Sequence, residues 1–111
     1  MGKKENAIEQ YLAEQIMQTG GDPIKYSAVG IAGYPDRICA MPLGITLWVE
    51  AQAPGEKPRD LQLYYLGTLQ KLGHHVCWVS TKDEVDQLIF QYKEIRDGKR
   101  TGISIKHATQ T

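Results

Sequence analysis

No apolar run in this chain approaches the ~20 residues that a helix needs to cross a bilayer; Ile45 to Val49 is typical of the longest. The amino end, Met1-Gly2-Lys3-Lys4-Glu5-Asn6, also lacks the apolar segment of a signal peptide, so the expectation is a soluble, cytoplasmic protein with no membrane partner. An excess of one charge is missing too. Thirteen Lys and Arg balance thirteen Asp and Glu, which excludes a uniformly basic nucleic-acid binder and requires any polyanion to be held by a local patch. Cysteine is scarce: Cys39 and Cys77 are the only two, and both lie within apolar, strand-like runs where a small buried thiol is the common use. There is no CxxC pair, the adjacent His74 and His75 lack zinc-ligand spacing, and no glycine-rich phosphate loop opens a helix. Zinc, nucleotide and thiol chemistry are thereby excluded.

What is present is a globular composition, 41% hydrophobic and 23% charged over 111 residues, which suits one hydrophobic core and argues against disorder or a coiled coil. The expected organisation is one domain, 1–111, with a core over about 4–97 and a basic tail over 98–111. Ile8, Leu12 and Ile16 recur every fourth residue and Gly20-Gly21 stops the run, predicting a helix from about Lys4 to Thr19. Strands are predicted near Ile24 to Ser27, Asp36 to Met41 and Ile45 to Gln52, the last two forming a hairpin through Pro42-Leu43-Gly44. A helix over about Arg59 to Leu72, with Leu61, Tyr65, Leu69 and Leu72 on one face, precedes a strand at His75 to Val79. Thr81 to Glu84 fits a capping box, opening a last helix through Val85, Leu88, Ile89 and Tyr92 toward Gly98. The tail beyond Gly98 either adds a strand at Ile103 to Ile105 or stays loose. The order α-β-β-β-α-β-α predicts an α/β fold, a mixed central sheet flanked by helices, because a strand-helix-strand crossover returns parallel.

Chemistry gathers in the hairpin. Side chains alternate along a strand, so Glu50 and Gln52 share one face about 6.5 to 7 Å apart while Val49 and Ala51 turn to the core. Pairing through the tight turn brings Asp36 toward Glu50. Either Asp36 merely shapes a Pro-Asp turn and Glu50 ends a strand on the wet side, or the two make an oxygen-rich site that suits Mg²⁺, with the helix acids Glu5 and Glu9 available to complete it. The basic run Lys93, Arg96, Lys99, Arg100 and Lys106 is either a solvated helix end or a phosphate contact.

Gly33-Tyr34-Pro35-Asp36-Arg37, then Trp48-Val49-Glu50-Ala51-Gln52-Ala53-Pro54-Gly55-Glu56-Lys57, then Leu61-Gln62 and Leu69 to Gly73, resemble the virus-type replication-repair nuclease domain (VRR-NUC), a branch of the PD-(D/E)XK nucleases. The likeness runs from about Glu5 to Tyr92. It implies a restriction-endonuclease-like fold and Mg²⁺- or Mn²⁺-dependent cleavage of DNA phosphodiesters. On that likeness Asp36 and Glu50 are the metal-binding carboxylates, the backbone carbonyl of Ala51 adds a third oxygen, Glu5 matches the first-helix acid ahead of Glu9, and Gln62 occupies the helical glutamine position. Lys57, Arg59 and Arg37 are the expected DNA contacts.

One position departs from the family: Gln52 stands where the resemblance places lysine. A lysine would present charge to the phosphate and the attacking water, and an amide has none to give. Catalysis is therefore expected to be impaired, unless Lys57 or another lysine reaches in. Small stand-alone members of the family resemble Holliday-junction resolvases, implying a phage- or repair-related homodimer acting on branched or junction DNA; Tyr64, Tyr65 and Trp78 either anchor that interface or, as is commoner for aromatics in so small a domain, belong to the core. The other reading is a non-catalytic branched-DNA-binding module that keeps the fold and some metal affinity.

Overall fold

The computed structural model describes residues 6–105. Helix α1 (Ala7–Gln18) leads into strands β1 (Asp22–Lys25), β2 (Arg37–Met41) and β3 (Ile45–Ala51), then helix α2 (Asp60–Lys71), strand β4 (His75–Val79) and helix α3 (Lys82–Arg96). The strands lie in chain order, β1-β2-β3-β4. β1–β2 and β2–β3 are antiparallel, and β3–β4 is parallel, as the crossover through α2 requires. This is the predicted mixed sheet and the predicted order of elements.

Local chemistry explains the boundaries. Asn6 caps α1 by accepting a hydrogen bond from the Glu9 amide at 2.8 Å. Thr81 does the same for the Glu84 amide at 3.1 Å, while the Glu84 carboxylate reaches back to accept from the Ser80 amide at 2.8 Å. Pro23 is tolerated in β1 because that strand is an edge, where a missing N–H breaks no ladder. Leu43 takes a left-handed conformation, φ 65°, in the three-residue turn that closes the β2–β3 hairpin.

Two apolar layers sandwich the sheet. On one face Cys39, Leu47, Val49 and Val79 pack against Leu12 and Ile16 of α1 and Val85, Leu88 and Tyr92 of α3. Fully burying a side chain such as Leu12 contributes roughly 1.5–3 kcal/mol. On the other face Val76, with Trp48 and Trp78, meets Leu66 and Leu69 of α2. Both cysteines are buried free thiols, and burial pushes Cys39 up to about 12 and Cys77 still further, so neither is a nucleophile at neutral pH.

Two expectations need correction. The buried stripe of α2 is Leu66 and Leu69 with Leu63 beside it, whereas Leu72 is 70% exposed and Leu61 sits at the helix start. Ile103 to Ile105 forms no strand; Ile105 is buried against the main core, and Ser104 trades hydrogen bonds with Gln91 of α3. The described part of the tail is therefore packed rather than loose. No helix among the described residues is long and apolar enough to cross a membrane.

Candidate active site

Extending the β2–β3 register by one pair beyond Arg37–Val49 sets Asp36 opposite Glu50, on the α2 side of the sheet. The backbone confirms the extension on the other edge, where the Tyr26 amide donates to the Asp36 carbonyl at 2.9 Å. Glu50 is only 5% exposed, which removes the reading of a strand ending on the wet side. Asp36 is half-buried. Asp36 Oδ1 and Glu50 Oε1 are both buried without a hydrogen-bond partner among the described residues. Burial, and then the charge of neighbouring acids, raises both carboxyls: Asp36 to about 6, with Glu9 as the main neighbour, and Glu50 to about 8, with Asp36 as the main neighbour.

Two neutral amides fix Glu50. Gln52 and Gln62 each donate through Nε2 to Glu50 Oε2 at 3.0 Å. Gln62 cannot flip its amide at low cost, because its Oε1 accepts from the Arg59 backbone N–H at 2.8 Å and so secures the first turn of α2. Oε2 thus accepts twice, and Oε1 is left as the unpartnered oxygen. Gln52 is itself held at the sheet end by donating its backbone N–H to the Val79 carbonyl at 2.8 Å.

The other predicted residues separate. Glu9 is buried on α1 and lines a cavity that Asp36 and Glu50 also border, but its carboxylate is met by Lys25 at 3.6 Å and Arg37 at 3.8 Å. Arg37, expected to contact DNA, is 5% exposed and donates Nη1–H to the Pro23 carbonyl at 2.8 Å; it braces β1, β2 and α1 and offers no surface for a phosphate. Glu5 lies outside the described residues. Lys57 and Arg59 are exposed and do line the cavity, which has a volume of about 440 Å³ and is bordered by Asp36, Glu50, Ala51 and both glutamines.

The basic tail lies elsewhere. Tyr92 donates its hydroxyl to the Pro42 carbonyl at 3.1 Å, which places the end of α3 by the closed end of the hairpin. Glu50 is five residues further along β3, roughly 17 Å away at strand rise. Arg96 pairs with Asp97 at 2.9 Å and Arg100 with Glu94 at 2.8 Å, and Lys106 lies outside the described residues. What sequence reasoning missed is Lys25. It is half-exposed, lines the cavity and ion-pairs with Glu9, yet only the β1–β2 pairing, Lys25 against Arg37, brings it there.

The arrangement suits a cation. Two buried carboxylate oxygens without partners, next to a polar cavity, repel each other and are disfavoured as anions until positive charge joins them. Among the described residues no group of three or more His, Cys, Asp and Glu side chains stands close enough to hold a metal alone, so a cation here would need backbone oxygen or water as well.

No family model matches the chain. It is similar to the protein named "Putative nuclease p44" from Acyrthosiphon pisum secondary endosymbiont phage 1, with 39% identity over 80 residues, 72% of this chain and 86% of that one. Among solved structures it is similar to a "VRR_NUC domain", with a TM-score of 0.75 and 32% identity over 82% of this chain and 99% of the other.

Proposed function

Because the chain belongs to the VRR_NUC family of nucleases, we propose that it hydrolyses DNA phosphodiester bonds with a divalent metal, Mg²⁺ or Mn²⁺, at Asp36 and Glu50. The observation that carries this reading is the pair of unpartnered carboxylate oxygens beside a cavity that Lys25, Lys57 and Arg59 also line. Asp36, Glu50 and the Ala51 backbone carbonyl would hold the cation, which when bound supplies Lewis-acid charge neutralisation at the phosphate. Gln62 positions Glu50 and holds α2 at the cavity edge. Lys57 and Arg59 draw the phosphate backbone in from solvent. Gln52 adds a second hydrogen bond to Glu50 but no charge, so transition-state stabilisation there is weaker than a lysine would give.

The substrate class is branched or junction DNA, and the working unit is a homodimer: two-fold symmetry would present identical sites to strands of opposite polarity. A second reading rests on the same Gln52 contact. With a neutral amide at that position, the chain is a branched-DNA-binding module that takes up metal and does not cut.

The deciding experiment measures cleavage of a four-way junction with Mg²⁺ or Mn²⁺ by this chain and by Asp36→Asn and Glu50→Gln. Metal-dependent cutting lost in both variants supports the nuclease. Binding without cutting supports the module. Cutting that survives both substitutions overturns the site assignment.

A further inference from the structure

Residues 26–35, which link β1 to β2 and run straight into Asp36, include no charged side chain. The middle of this loop is a built turn. The Ile31 amide donates to the Ala28 carbonyl at 3.3 Å, and Gly30, with φ +76°, takes the left-handed third position of the four-residue turn that this bond closes. Val29 is left at the corner, 98% exposed, where proline or a polar residue is the usual choice. The foot of the loop is fixed as well. At Gly33, with φ +98°, a Cβ would come within 2.8 Å of the Leu61 side chain and 3.1 Å of its carbonyl, so only glycine lets the loop press on the start of α2 this closely. An aliphatic side chain is thus held out on a short, anchored arm.

The place of that arm decides what meets it. A second cavity, about 240 Å³, is lined by Ala28, Ile31 and Ala32 of the loop together with Asp36, Glu50 and Arg59 of the candidate site, whereas Lys25 and Lys57 line only the larger one. DNA with a phosphate at Asp36 and Glu50 extends past the site in both directions, carrying a charge every ~3.4 Å of axis along each strand. It therefore passes the lysines of the larger cavity and the uncharged loop beside the smaller. An aliphatic tip would strip a phosphate of water and give it no partner, so its favourable neighbours are the sugars and base edges of a groove.

We propose that Val29 is a DNA wedge, which enters the minor groove next to the phosphate held at Asp36 and Glu50 and parts one base step. The proposal rests on the nuclease reading above and adds a contact that distorts the DNA and is indifferent to its branching. A wedge of this kind unstacks the step it enters, at a cost that its own burial and the wider contact with bent DNA offset. It releases no counterion, so its share of the affinity is the same at every salt concentration.

The test is binding of a thymine-rich four-way junction in EDTA over a salt series, with permanganate, which oxidises unstacked thymines, as the probe of the base step. The parent should bind and make a thymine newly reactive. Val29→Ala, which takes two methylene-sized groups out of the contact, should weaken binding by about 5- to 20-fold, leave the slope of log K against log salt unchanged and abolish the new reactivity. Val29→Leu, equally apolar, should behave as the parent. The side chain is so exposed that Tm should be the same in all three. Binding by the parent without new thymine reactivity, or unchanged binding or unchanged reactivity in Val29→Ala, overturns the wedge and leaves the nuclease standing. So does a loss in Val29→Ala that comes with a shallower salt slope, the mark of a phosphate contact. A DNA-free homodimer that Val29→Asp dissociates in sedimentation makes the loop a subunit interface and also overturns the wedge. A parent that binds no DNA at any salt overturns both readings.

Discussion

Gln52, the residue just past the end of β3, and Glu50, two positions earlier within it, are joined by a 3.0 Å hydrogen bond from Nε2 to Oε2. The position that the family likeness assigns to lysine is thus coupled to the carboxylate by a neutral donor. A lysine there would form an ion pair with the same oxygen and bring Glu50 down toward its ordinary range. Gln52→Lys should raise single-turnover cleavage of a junction by ~10²- to 10³-fold with little change in DNA affinity. If the parent already cuts well, is unaffected by Gln52→Lys and is silenced by Lys57→Ala, the required cation comes from the loop after β3.

Metal binding should follow the carboxylates. Calorimetry with Mn²⁺ should give a clear isotherm for the parent and a much weakened one for Asp36→Asn or Glu50→Gln, because the unpartnered oxygens Oδ1 and Oε1 are the donors removed. Equal Mn²⁺ affinity in all three proteins would refute the assignment.

Without metal, the same pair makes stability depend on pH. Both carboxyls have folded-state values above their unfolded ones, about 6 against 3.8 for Asp36 and about 8 against 4.5 for Glu50, so the folded protein holds these protons more tightly than the unfolded chain. Their contribution is fully present below pH ~4 and is lost progressively as pH rises to 8. Thermal melts in EDTA should show Tm falling over that window. Glu50→Gln should flatten the fall, and saturating Mn²⁺ should reverse it at pH 8; a Tm rising across pH 5–8 in EDTA would contradict the buried, unpaired placement.

Gln62 serves two partners, and its variants can separate them. Gln62→Ala should cost ~0.5–2 kcal/mol of stability by leaving the Arg59 amide without its acceptor. Gln62→Glu keeps that acceptor but faces Glu50 with a second carboxylate. It should melt close to the parent at low pH and lose metal affinity and cleavage at neutral pH. Identical activity in both variants and the parent would show that Glu50 needs no support from α2.

Charge at the cavity mouth, rather than charge overall, should set the salt dependence of DNA binding. Removing Lys57 or Arg59 should weaken binding and lower the slope of log K against log salt by about 1 each. Arg100→Ala should change neither, since that guanidinium is paired with Glu94 at the other end of the molecule. The reverse pattern would move the footprint to α3 and the tail.

The period of the apolar residues made most of this fold readable. Ile8, Leu12 and Ile16 are buried as their spacing predicts, and His75–Val79 has the predicted bounds. The α2 face was misread because Leu61 and Leu72 sit at the helix ends, where the sheet no longer covers them. At the site, the two carboxylates were accessible to reasoning because a hairpin is a local structure, with partners fixed by counting from its turn. Lys25 and Arg37 were not, because both depend on how a distant edge strand and α1 meet the hairpin, and a cation in a strand reads as exposed until its burial partner, here Glu9, is known.

The turn at Pro42-Leu43-Gly44 touches no part of the cavity, yet it works as a measuring device for it. Asp36 and Glu50 face each other only because six residues of β2 and its approach and six of β3 are counted outward from the same three-residue bend. Inserting or deleting one residue there would turn Glu50 to the opposite face of the sheet and leave Asp36 without its counterpart. The chemistry of this bend, including exposed Leu43, is therefore open to change, but a change in its length that slipped the register by one would undo the carboxylate pair in a single step.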